Sequence, residues 1–224
     1  QDPQSQGNRL DPWFDAYADR AHNLRASEIR ALFSVVSRPE VVSLAGGMPN
    51  LKDLPLESLA ETAKELILSS GAQALQYGSG QGWEPLREQL INVMTYDGIV
   101  GADPDDVVIT TGSQQALDLM AELFIDAGDV VLAESPSYVG ALGCFRARQA
   151  DVIHVDMDEN GIIPEALEET IRRLKSAGRA IKFLYTIPNF HNPAGVTLSL
   201  ERRPLIAEIC MREHVLILED NPYG

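Results

Sequence analysis

From Asp105 onward, short apolar runs alternate with stretches whose apolar positions recur at helical spacing. VVIT, ending at Thr110, is followed by a helix from about Gln114 to Ile125, and DVVLAE by one from about Val139 to Arg148. ADVIHVD precedes a helix from about Pro164 to Lys175, and AIKFLYTI one from about Leu200 to Arg212, before VLILE. Runs of this length read as strands, and strands alternating with such helices imply right-handed crossovers in a mostly parallel, doubly wound sheet. The runs are nearly continuous in apolar residues, as expected of strands covered on both faces. The predicted fold class is therefore α/β, a three-layer α/β/α arrangement.

The region before Asp105 has a different pattern. Ser27–Val36 predicts a helix, and so does Pro55–Ser69, with Leu56, Leu59, Ala63, Leu66 and Ile67 on one face. VVSLAGGMPNL between them reads as a Gly/Pro-rich crossing segment. Gly78, Gly80 and Gly82 form a turn before a third helix, Glu84–Tyr96. No internal repeat or low-complexity tract interrupts the chain.

Composition narrows the function classes. Apolar residues make up 45% and charged residues 23% of 224, ordinary values for a globular protein. No apolar run approaches the roughly 18 residues of a membrane span, so no membrane partner is expected. The opening QDPQSQGNRLDP lacks an apolar core and reads as a flexible arm rather than a secretory signal. A net charge of −15 argues against nucleic acid, which demands clustered Lys and Arg. Arg172, Arg173, Lys175 and Arg179 do cluster, but at a helix end, where cations suit the dipole. Cys144 and Cys210 lie in helical patterns without CxxC spacing, which predicts reduced, buried thiols and a cytoplasmic location.

Candidate chemistry collects where strands end. PNFHNPAG, with Asn192, follows AIKFLYTI, and EDNPYG, with Asp220 and Tyr223, follows VLILE. Open α/β sheets place ligands at the carboxyl ends of strands. An Asn, an Asp and a Tyr converging there can grip a polar heteroaromatic ring by its edge. Pyridoxal 5′-phosphate (PLP) needs such a grip, with a carboxylate to keep the pyridine nitrogen protonated. TTGSQQAL opens a helix through Gly112, Ser113 and Gln114, which suits either an anion at the helix N-terminus or a plain N-cap. ESPSYVG presents Tyr138, either to stack on a ring or to pack at a helix start. ALQYGSGQG presents Tyr77 on a loop, and LAGGMPN offers either backbone amides for a carboxylate or an ordinary turn. His191 neighbours Asn192 but has no Ser/Asp pairing or metal-ligand spacing, so neither a catalytic base nor a metal site is expected.

The ordered set AGGMP, QYGSGQGWEPLRE, TTGSQQALDL, ESPSY, PNFHNPAGVTLS and EDNPYG resembles the fold type I PLP-dependent enzymes. It is most similar to class I/II aminotransferases of the aminoadipate/kynurenine/aromatic group. The resemblance implies a PLP-dependent transferase-like large domain over residues 47–224, incomplete at its C-terminus. Residues 1–46 would be an N-terminal arm and the start of a small domain. It implies that Ser113 and Gln114 hold the cofactor phosphate and that Tyr138 stacks on the pyridine ring. Asn192 and Tyr223 would hydrogen-bond the ring 3′-oxygen, and Asp220 would pair with the ring nitrogen. Gly47 would lie beside the substrate carboxylate. Tyr77 would reach a neighbouring subunit's phosphate, which implies a homodimer. His191 stands where the family often has Gln.

The same resemblance places the Schiff-base Lys beyond Gly224. Lys52, Lys64, Lys175 and Lys182 fall in a loop, a helix, a helix end and the far end of a strand, so no catalytic residue is expected within these residues. The implied activity is amino transfer between an α-amino acid and a 2-oxo acid. Alternatives are a PLP-dependent β-lyase or decarboxylase of the same fold, or the aminotransferase-like effector domain of a transcriptional regulator.

Overall fold

The computed structural model describes residues 12–23, 38, 40–42, 51 and 53–223. The chain divides into two compact units, one of Gln1–Asn23, Asn92–Gly101 and Thr110–Gly224, the other of Leu24–Ile91 and Ala102–Ile109. The expected helix Ser27–Val36, Gly47 and its segment, and Lys52 lie outside the described residues.

The first unit is built on a five-stranded sheet. Its strands are β1 (Val130–Ser135), β2 (Asp151–Asp158), β3 (Gly161–Ile162), β4 (Ile181–Thr186) and β5 (Leu216–Glu219). Spatial order is β3-β2-β1-β4-β5. β1 pairs parallel with β2 and β4, and β4 parallel with β5, while β3 is antiparallel to β2. Six α-helices are described: α1 (Leu56–Ala74), α2 (Glu84–Tyr96), α3 (Ser113–Phe124), α4 (Val139–Ala147), α5 (Pro164–Ser176) and α6 (Arg202–Arg212).

The strands' period-2 alternation sorts the core into two clusters. Val130, Leu132 and Leu184 pack with Leu167 and Ile171 of α5 and Ile206 and Ile209 of α6. Val131, Ala133, Phe183 and Tyr185 pack with Leu117 and Ala121 of α3 and Leu142 and Phe145 of α4. Helices thus cover both faces, and the three-layer, doubly wound expectation holds. Phe145 meets Phe183 and Tyr185 edge-on, with centroids 5.3 and 5.4 Å apart.

Two local expectations change. Val107–Thr110 is not a strand: local turn bonds at its two ends and a bond from Ile109 N–H to Gln81 O at 2.8 Å replace a ladder. Pro55–Ser69 runs on to Ala74 as α1, across a non-helical Ser70, where the Ser-Ser-Gly run favours a kink. Its apolar face is formed as expected, yet none of its described residues is buried.

Three of the four residues of the basic cluster form ion pairs. Arg172 pairs with Glu169, Lys175 with Glu213 at 2.9 Å and Arg179 with Asp151 at 2.7 Å. Cys144 and Cys210 are buried and unbridged. Burial pushes the Cys210 thiol up to about 11, and burial with Asp118 raises Cys144. Among the described residues no helix is long and apolar enough to cross a membrane.

Candidate functional site

The chain leaves β1 for β2 and β3 on one side, then returns to β4 and β5 on the other. The order reverses between β1 and β4, and open α/β sheets bind ligands at the carboxyl edge of such a point. Glu134 sits there, on β1, with 1% of its surface exposed. Its Oε1 accepts from Thr186 Oγ1 and its Oε2 from Ile187 N, each at 2.9 Å. His191 Nε2 stands 3.1 Å from Oε2, off the hydrogen-bonding direction. One buried carboxylate therefore ties β1 to the end of β4 and to the loop carrying Asn192.

Asp220 follows β5 and is half-buried. Its amide donates to Thr186 O at 2.9 Å, and its Oδ2 accepts from Tyr185 Oη at 2.7 Å. Tyr185 is wholly buried. Burial and then Asp220, with smaller effects from Glu134 and Tyr138, hold its phenol far above the usual range, so it stays a donor.

Asn192 and Tyr223 line one cleft of about 400 Å³ with Phe190, His191, Pro193 and Gly195. The two loops are tied together: Asn189 Nδ2 donates to Asn221 Oδ1 at 2.9 Å, while Asn189 Oδ1 accepts from Arg203 Nη2 at 2.7 Å. His191 is buried, and its Nδ1 accepts from Ala194 N at 3.3 Å. That bond shapes the turn.

Ser113 opens α3 after Gly112, whose φ of 76° suits glycine. No side chain caps the helix, and the first amides of any helix lack an intrahelical acceptor. Gln114 turns its side chain away, donating to Cys144 Sγ at 2.9 Å. This leaves its backbone amide as the group it can offer at the helix end. Tyr138 precedes α4 and folds its ring over Gly140, where an added Cβ would lie 2.4 Å from Cζ. Ser137 Oγ, beside it, is buried with no partner among the described residues.

The first unit thus holds Ser113, Gln114, Tyr138, Asn192, Asp220 and Tyr223 along its strand ends and helix starts. Tyr77 belongs to the second unit and is fully exposed. Gly47 is outside the described residues. Glu134, Tyr185, Asn189 and Arg203 escaped the sequence reading. A Glu ending an otherwise apolar run, and a Tyr inside one, were the available signals.

Known proteins resemble this chain. The family described as aminotransferase class I and II matches residues 39–224. The chain is 39% identical over 208 residues to aromatic-amino-acid aminotransferase 1 of Thermococcus litoralis, covering 93% of this chain and 50% of that protein. It is 37% identical to the 2-aminoadipate transaminase of Thermus thermophilus, covering 94% of this chain and 50% of that one. The crystal structure of Pyrococcus horikoshii kynurenine aminotransferase, in complex with PMP, superposes with a TM-score of 0.89 at 39% identity. It covers 96% of this chain and 53% of that one. The chain spans about half the length of the curated relatives it matches.

Proposed function

The chain belongs to the class I and II aminotransferases, and on that premise we propose that the whole protein moves an amino group between an α-amino acid and a 2-oxo acid, with PLP as cofactor. The observation that carries this reading is Asp220, a half-buried carboxylate at a strand's carboxyl end with one oxygen already held by Tyr185. The residues fit the cofactor's chemistry: an uncapped helix start for the phosphate, an aromatic beside a glycine, and a carboxylate for the ring nitrogen.

In this reading the amides of Ser113 and Gln114 and the Ser113 hydroxyl bind the phosphate. Tyr138 stacks on the ring, and Asn192 and Tyr223 hydrogen-bond its 3′-oxygen. Asp220 keeps a proton on the ring nitrogen, because an adjacent carboxylate favours the charged form. When bound, the protonated ring supplies the electron sink that lets a substrate amine lose its Cα proton. Gly47 lies beside the substrate carboxylate. Lys175 and Lys182 are held by Glu213 and Asp129; it is the resemblance to the family that assigns the lysine carrying the cofactor beyond Gly224. The division at residues 46 and 47 belongs to the same reading. So do a homodimer in which Tyr77 reaches the neighbouring subunit's phosphate and a cytoplasmic location in keeping with two unbridged thiols.

The test is a panel of amino donors and 2-oxo acids offered to the full-length protein. Aromatic amino acids, 2-aminoadipate and kynurenine head it, because the relatives' names carry them. Amino transfer by the wild type, and a loss of at least about 100-fold in Asp220→Ala with the fold intact, is expected. Near-normal turnover by Asp220→Ala would refute the role given to that carboxylate.

A further inference from the structure

We propose that Tyr185 is a positioning residue for the cofactor's ring nitrogen, its hydroxyl fixing the Asp220 carboxylate in the orientation that pairs with the ring. The inference rests on the cofactor reading above and deepens it.

Asp220 is held from β4 at two points: its amide by Thr186 O at 2.9 Å and its carboxylate by Tyr185 Oη at 2.7 Å. Successive residues of one strand thus fix its backbone and its side chain. The bond to Oδ2 leaves Oδ1 as the oxygen not engaged by the phenol. Tyr185 itself has little freedom. Its ring is wholly buried and packs edge-on against Phe145, with centroids 5.4 Å apart and planes at 73°. A hydroxyl so placed is a fixed donor. Burial first, and then the groups facing it, Asp220 after β5, Glu134 on β1 and Tyr138 at the head of α4, keep it protonated.

A carboxylate beside a ring nitrogen raises that nitrogen's proton affinity only while an oxygen faces it. Without the phenol, Asp220 is free to rotate about its terminal torsion, which is broad for Asp. A purely structural reading is also available, since a buried Tyr hydroxyl needs a partner of any kind. The two readings differ in one observable. Tyr185→Phe removes the hydroxyl and its need together, so a structural role leaves the ring nitrogen unaffected.

The experiment titrates pyridoxamine 5′-phosphate, labelled with ¹⁵N in the ring, bound to the full-length protein and followed by NMR. Tyr185→Phe should lower the midpoint of the ring nitrogen by about one pH unit, about tenfold in proton affinity. In an Asp220→Asn background the same substitution should add no shift. Phe145→Leu, which loosens the packing but keeps the hydroxyl, should lower the midpoint by much less than Tyr185→Phe does. A midpoint in Tyr185→Phe that is unchanged or raised overturns the inference. So does an equal shift in the Asp220→Asn background, or one of that size in Phe145→Leu. If Asp220→Asn lowers the midpoint and Tyr185→Phe does not, only the role of Tyr185 fails. If the wild type binds no probe, the cofactor reading fails and this inference with it.

Discussion

Thr186 donates its hydroxyl to Glu134 across the β1–β4 junction at 2.9 Å, inside a site where the carboxylate is almost wholly buried. Ile187 N–H completes the pair of donors. A buried carboxylate is tolerated only when its oxygens are occupied, and here two strand ends do so.

Glu134→Ala should therefore destabilise the protein by about 3 kcal/mol, since it leaves buried donors without an acceptor. Glu134→Gln should cost less, because one amide oxygen still accepts. Urea midpoints measure both. Equal stability in all three proteins would show that the junction does not depend on this carboxylate.

Gly140 leaves the space that Tyr138 fills, with the ring where a side chain would start. Gly140→Ala should move the ring and weaken binding of pyridoxamine 5′-phosphate by about tenfold, the scale of one aromatic contact. The fold should be unchanged, as alanine suits a helix. Titration of the probe against wild type and variant reads the effect, and equal affinities would remove Tyr138 from the site.

Arg202 grips Asp158 with two bonds, Nη1 to Oδ1 at 2.6 Å and Nη2 to Oδ2 at 2.8 Å. The Arg202 hydrogen bond holds the Asp158 carboxyl below the usual carboxylate range. A folded-state value below the unfolded one means that the unfolded chain takes up the extra proton in acid. The contribution is then complete above the unfolded value of about 3.9 and is lost as pH falls through the folded one. Asp158→Asn should lower the urea midpoint at about pH 7, and the gap should narrow from about pH 5 to about pH 2. A gap that stays constant across that range would contradict the assignment.

Much of this architecture was legible in the chain. The runs that became β1 and β4 were clear because strands covered on both faces carry few polar residues, while those of β2 and β5 showed as β-branched runs although neither strand is mostly buried. Helix α2 matched its expected bounds, α3 to α6 differed by one or two residues at their ends, where helices fray, and α1 ran five residues further, across the kink at Ser70. Val107–Thr110 misled because an apolar β-branched run reads as a strand whether or not a ladder partner exists. β3 is only two residues long, below what periodicity detects, although Asn160-Gly161 is a hairpin signal.

The candidate site divides along a similar line. Asn192, Asp220 and Tyr223 stood out because the short polar motifs that follow the apolar runs break the pattern. Tyr185 and Glu134 did not, since one lies inside an apolar run and the other ends one, and each takes its meaning from a partner more than thirty residues away. Asn189 and Arg203 gain their roles only through the cross-loop bonds they make. Such pairings arise from topology and carry no local signature.

The central claim is that the strand ends of β4 and β5 and the start of α3 hold one phosphorylated pyridine cofactor. The most direct measurement is a crystal structure of the full-length protein with pyridoxamine 5′-phosphate. The account predicts the phosphate on the amides of Ser113 and Gln114, the ring against Tyr138, and the ring nitrogen within hydrogen-bonding distance of Asp220. A phosphate bound elsewhere, or a ring nitrogen facing away from Asp220, would contradict it.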